Sequence, residues 1–235
     1  MNLNYLIEIA SVSGGVLYLM MIVLLAALAV IVERSWYLFK LINKGYEITL
    51  KVSRLKAIDD KILFDIVKSS EGIPQSKILN TVLKFPEARN YEHLDKLLEE
   101  EILWQSPLID KRLWILDSIV TLAPLLGLLG TIIGMFTAFS ALGAGGGAPV
   151  KITGGVAEAL VTTGVGLLIA IIGLISFNGL NNWVRLIIHQ METIKIMLLN
   201  RLKRSVYLTE DEEPPDIVLN YGEANGREPN KGGCK

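Results

Sequence analysis

The chain has 235 residues, 51% of them hydrophobic, with a formal net charge of −1 and a mean hydropathy of +0.44. That is too apolar for an ordinary soluble domain and points to an integral membrane protein. The balanced charge excludes the global basic field of a nucleic-acid binder. One cysteine, Cys234, builds no disulfide framework, and two distant histidines, His93 and His189, give no basis for a metal cluster.

The opening stretch, MNLNYLIEIASVSGG, carries no Lys or Arg before its apolar run. It lacks the basic region of a cleaved secretory signal, so residues 1–12 are expected to be an outer N-terminal segment ahead of a retained span. A hydrocarbon core about 30 Å thick needs about 20 mostly apolar helical residues. Residues 13–32 (SGGVLYLMMIVLLAALAVIV) meet that need and stop at Glu33–Arg34.

Residues 33–117 read as a helical region. Apolar residues at 62, 63, 66 and 67 form a helical stripe that Gly72 and Pro74 interrupt. PQSKILNTVLKF restarts a helix with proline at its first turn, and Pro86 ends it. YEHLDKLLEEEILWQ forms another, with Glu99, Glu100 and Glu101 on a solvated face. A second span is expected over 118–142, an outer loop over 143–153, and a third span over 154–179. The loop's LGAGGGAPVK lacks the GK[ST] ending of a phosphate-binding loop. Beyond the third span, apolar residues at 180, 184, 187, 191, 194 and 198 alternate by four and three. This is a heptad seam, and it predicts that the helix extends over 180–204 and packs on other helices. Residues 205–235, rich in Asp, Glu, Pro, Gly and Asn, are expected to be a disordered acidic tail.

Basic residues near span ends set direction. None precedes the first span, and Arg34, Lys40, Lys44, Lys51, Arg54 and Lys56 follow it. Lys111 and Arg112 precede the second, Lys151 alone lies between the second and third, and Arg185, Lys195, Arg201, Lys203 and Arg204 follow the third. The fold class expected is an all-α membrane protein of three spans with long cytoplasmic helical extensions. Its N-terminus lies outside and its C-terminus inside.

Small residues mark one face of each of the last two spans. Gly127, Thr131, Gly134 and Ala138 recur every four or three residues, and Gly130 with Gly134 makes a GxxxG. Gly155, Ala159, Thr162, Gly166, Ala170 and Gly173 do the same in the third span. Such faces let helix backbones approach closely in lipid, so Gly127, Gly130, Gly134, Gly155, Gly166 and Gly173 are expected to be helix-packing residues. Glu158 lies about one turn inside the third span, with Thr162 and Thr163 one turn below it. An ionised carboxylate at mid-membrane costs roughly 2.5–3.5 kcal/mol on insertion scales, and less at this depth. Two readings stand. Glu158 with Thr131, Thr162 and Thr163 lines a polar path, which is the preferred reading. Alternatively, Glu158 is a helix-end residue that favours the dipole and pairs with Lys151. No nucleophile, metal set or acid pair points to an enzyme.

LAPLLGLLGTIIGMFTAF (122–139), followed across a short loop by TGGVAEALVTTGVGLLIAI (153–171) and then FN (177–178), resembles the ExbB/TolQ/MotA group of bacterial proton-channel subunits. The resemblance is strongest to ExbB and TolQ, and VERSWYLF (32–39) shares it. It implies a homopentamer in the bacterial inner membrane around two copies of an ExbD/TolR-like partner, whose one span bears an essential aspartate. Protons are the coupling ion, with no other cofactor, and the partner's motion passes through a TonB/TolA-like protein to the envelope. By position, Glu158 matches the family's third-span glutamate, and Thr131 and Thr163 match its pore-facing threonines. Thr162 is often alanine in relatives, and Ile172–Gly173 stand where proline is common. The alternatives are a gliding or flagellar stator-type subunit, for which three spans rather than four are a mild obstacle, and a passive membrane scaffold.

Overall fold

The computed structural model describes residues 15–55, 57–86, 90–143 and 149–209. The expectations for residues 1–12 and for 210–235 of the tail lie outside the described residues, while 205–209, expected as tail, are the last residues of a helix. Six α-helices follow in order: α1 Val16–Ser53, α2 Asp60–Ser69, α3 Pro74–Lys84, α4 Tyr91–Ile109, α5 Leu113–Gly143 and α6 Pro149–Thr209. Three of them, α1, α5 and α6, contain windows long and apolar enough to cross a membrane.

The second and third expected spans lie within longer helices, and the first, expected from residue 13, is helical from Val16 onward and also runs on, to Ser53. The 61 residues of α6 rise about 90 Å at 1.5 Å each, far more than a hydrocarbon core needs. What ends the third span is therefore a change of surface chemistry. Its helix starts at Pro149 and continues unbroken through Ile172–Gly173 to Thr209. That start lies inside the stretch expected as loop. Proline is well suited to a first helical turn, since its missing N–H would have no partner there.

Local signals place the short helices. Asp59 caps α2 by accepting a hydrogen bond from Lys61 N at 2.9 Å. Gly72 takes a left-handed φ of 82°, which glycine adopts without steric cost, and Pro74 opens α3. Phe85, ahead of Pro86, leaves the helical region with φ −121° and ψ 64°. Between α4 and α5, Arg112 adopts φ 71° and ion-pairs with Glu33 of α1.

The packing has two regimes. Where α5 meets α6 along their apolar lengths, small residues face each other. Beyond that, the extension of α6 buries Leu180, Val184, Ile187, Met191, Ile194 and Leu198, so the whole heptad seam is enclosed. Its cover is the chain's own α1, α3 and α4, with Leu41, Ile48, Leu79, Leu94 and Leu98 among the buried residues. This base is fastened by polar groups. The Arg201 guanidinium donates to the carbonyls of Leu55 at 2.6 Å and Ser53 at 2.8 Å, closing the end of α1. Lys195 ion-pairs with Asp95 at 2.9 Å and with Glu99. Burial alone would depress this ammonium's pKa, but its hydrogen bonds to Glu99 and Asp95 prevail and hold it above the ordinary lysine value. Glu99 thus serves the α4–α6 contact as well as lying on an exposed face. His189 is exposed, as a surface residue of α6.

Candidate functional site

The site is the antiparallel seam of α5 and α6. Its register follows from the space around each glycine. A Cβ added to Gly173 would lie 2.9 Å from Val120 Cγ2, one on Gly166 2.6 Å from Ala123 O, and one on Gly127 3.1 Å from Thr163 Cα. Toward the other end, a Cβ on Gly130 would meet Thr162 Cγ2 at 2.3 Å, one on Gly134 would meet Ala159 Cβ at 2.9 Å, and one on Gly155 would meet Ala138 Cβ at 3.0 Å. At each of these glycines an added Cβ would crowd the facing helix, main chain at Gly127 and Gly166 and side chain at the other four, so the missing side chains let the helices pack closely through dispersion. The first helix closes one side. A Cβ added to Gly166 would lie 3.0 Å from Met20 Cε, and one on Gly130 3.5 Å from Val16 Cγ1.

Three threonine hydroxyls are set into this seam. Thr131 Oγ1 donates to Leu128 O at 2.7 Å, Thr162 Oγ1 to Glu158 O at 3.0 Å, and Thr163 Oγ1 to Gly127 O at 2.9 Å. The first two bonds stay within one helix. The third crosses from α6 to α5 and ties the two together within the seam. Thr162 is 0% exposed and Thr131 9%, while Thr163 and Glu158 are half-buried. Thr131 falls between Gly130 and Gly134, which face Thr162 and Ala159. It therefore stands within about one turn of Glu158's level. Thr131, Thr162, Thr163 and Glu158 are brought together, but Thr162 is enclosed between the helices and presents no surface of the subunit. The side chain of Lys151, the alternative partner of Glu158, lies outside those described. Among the described residues, no group of three or more His, Cys, Asp or Glu side chains is placed to hold a metal ion.

Two features of the site escape a reading of periodicity. One is the cross-helix bond of Thr163, which sits beside the small-residue stripe. The other is the part played by Met20 and Val16, which look like lipid-facing residues in sequence. Replacing Thr163 by Val keeps the shape and removes the donor. Interhelical hydrogen bonds in membranes are worth about 0.6 kcal/mol on average and up to about 1.7. Thr163→Val is thus expected to cost stability in that range, read from unfolding in mixed micelles. No change would mean that the bond adds nothing to the seam.

This seam and the base beneath it coincide with a match to known proteins. Residues 70–193 fit the model of the MotA/TolQ/ExbB proton channel family. The chain belongs to that family. The match runs from the turn before α3 to the middle of the base segment of α6, so it takes in the entire seam. Among curated relatives, the ExbB-like 3 biopolymer transport protein of Synechocystis sp. is 30% identical over 157 residues, 66% of this chain and 74% of the relative. The ExbB-like 1 protein of the same organism is 26% identical over 220 residues, 88% of this chain and 82% of the relative. An ExbB homolog of Methanothermobacter thermautotrophicus is 33% identical over 124 residues, 53% and 44% of the two chains. Within the MotA/TolQ/ExbB family this chain is most like ExbB.

Proposed function

We propose that the chain is the ExbB/TolQ-like subunit of an inner-membrane motor that turns proton flow into mechanical work on the cell envelope, of TonB or Tol type. The observation that carries this reading is the state of the seam hydroxyls. Thr131, Thr162 and Thr163 each spend their one proton on a backbone carbonyl. Their oxygens therefore keep acceptor capacity alone. A wall of acceptors beside a half-buried carboxylate suits a guest that donates. A protonated carboxylic acid does so, and an ionised one cannot.

Five copies of the chain would enclose two copies of a partner, each with a single span bearing an intramembrane aspartate. Protonated, that aspartate is held at the wall formed by Thr131, Thr163 and Glu158, with Thr162 as the spacer that sets the helix separation over Gly130. Ionised, it is repelled by the acceptors and moves on. A proton crossing 100 mV releases about 2.3 kcal/mol, comparable with the cost of one ionised carboxylate in a span. The two terms are matched in size, so protonation can decide the partner's position. The distribution of Lys and Arg supports an outer N-terminus and a cytoplasmic base.

The test is proton flux and energised outer-membrane uptake by the chain with its single-span partner. Thr131→Val, Thr163→Val and Glu158→Gln are each expected to cut flux by roughly tenfold or more, the effect of about 1.4 kcal/mol on a barrier. The partner should still copurify. Full flux in all three variants refutes the proton path and leaves a scaffold that organises partners.

A further inference from the structure

The chain's four tryptophans, Trp36, Trp104, Trp114 and Trp183, are far apart in sequence and on four different helices, yet packing brings them to one level. Arg34 of α1 donates to the carbonyl of Ile109 at the end of α4, and Arg112 pairs with Glu33. The top of α4 is thus level with the point where charge first follows the apolar run of α1. The rings of Phe39 and Trp183 lie 6.3 Å apart, which adds α6. Trp114 is six residues before Val120, the neighbour of Gly173, so it lies about 9 Å further along at 1.5 Å per residue, near residue 179 of α6. Trp36, Trp104 and Trp114 are 76%, 70% and 70% exposed. Tryptophan collects where hydrocarbon meets headgroups.

The surface of α4 changes character at this level. On its outward face, Glu92, His93, Lys96, Glu99 and Glu100 are exposed, and then Leu103, Trp104, Pro107 and Leu108 take over the same face. Ile102, Gln105 and Ile109 point the other way into the packed base. A helix too short and too charged to span thus ends in an exposed apolar tip. That tip stands level with exposed Trp36 of α1 and Trp114 of α5, and exposed Asp110, Lys111 and Arg112 follow it.

We propose that the last turns of α4, Leu103 to Leu108, dip into the headgroup layer of the bilayer and form a membrane contact separate from the three spans. The tip fixes how deeply the base sits against the membrane, and so fixes the height of the seam within it.

The proposal is tested on the full chain in bilayers of phosphatidylethanolamine and phosphatidylglycerol. With Trp36, Trp114 and Trp183 changed to Phe, the emission of Trp104 is expected to be blue-shifted and quenched by lipids brominated close to the headgroup. Water-like emission overturns the proposal. So does blue-shifted emission that brominated lipid leaves unquenched, which would mean that another protein surface covers the tip. A second measurement keeps every tryptophan. In a Cys234→Ser background, Glu100→Cys should react readily with a membrane-impermeant maleimide, and Leu108→Cys, two turns along the same face, should lose most of that labelling until detergent is added. Equal labelling of both in the bilayer overturns the proposal.

Discussion

Gly166→Val is expected to prevent normal assembly of the protein, while Gly164→Ala two residues away leaves it intact or slightly more stable. A Cβ at Gly166 would lie 2.6 Å from Ala123 O and 3.1 Å from Gly127 Cα. Both are backbone atoms, and neither can turn aside. The helices would have to separate, and the seam is built so that separation is felt along its length. Moving α5 away stretches the Thr163 bond to Gly127 O and opens the contact of Thr162 with Gly130. Overpacking typically costs about 1–3 kcal/mol, occasionally more. The upper end applies here because the nearest obstruction is the main chain of α5, with Met20 Cε of α1 3.0 Å away besides. At Gly164 nothing lies within 4 Å of the added carbon, and the helix gains up to about 1 kcal/mol of propensity. Size-exclusion profiles and melting in detergent separate the two. Similar behaviour of both variants would show that the seam tolerates a wider spacing than its glycines suggest.

The contrast between Gly164 and Gly166 also shows what the sequence makes legible. Small residues every four and three positions reveal a close helix contact because glycine in a lipid-spanning helix has few other uses. The same holds for the alternation from Leu180 to Leu198, all buried, and for the breaks at Gly72, Pro74 and Pro86, where backbone chemistry is decisive. Other features depend on which helix meets which. Met20 reads as one apolar residue among many in the first span, yet it reaches Gly166. The hydroxyl of Thr163 could have bonded within its own helix, as those of Thr131 and Thr162 do, and only the position of Gly127 O draws it across. Gln75 and Gln190 stand 115 residues apart, and only the packing of α3 on α6 makes them a pair. Four tryptophans on four helices show no common level until Arg34 meets Ile109 and Phe39 meets Trp183.

Gln75→Leu and Gln190→Leu are each expected to destabilise the base, and the double variant to recover most of the loss. Gln75 is 0% exposed and Gln190 9%. Gln75 Nε2 donates to Gln190 Oε1 at 2.9 Å, and Gln190 Nε2 reaches Ile42 O at 3.5 Å. The pair joins α3, α6 and α1 above Gly45, where an added Cβ would lie 2.2 Å from Gln75 Nε2. Removing one amide leaves the other buried without its donor or acceptor, at a cost of about 1–3 kcal/mol. Removing both replaces a polar contact by an apolar one of similar length, which can be nearly neutral. A double-mutant cycle on thermal unfolding should therefore give a coupling close in size to the two single losses taken together. Simple additivity would mean that the amides do not act as a pair. The near-neutral double variant then raises the question of why the amides are there. An all-apolar junction lets α3 slide by a turn along the heptad seam of α6, since leucine-like contacts recur at each step. A buried amide pair has one register in which both partners meet, and this penalises the alternatives rather than stabilising the native state. The double variant should accordingly melt near the wild-type temperature but with a broader transition, as expected of a base that can pack in more than one register.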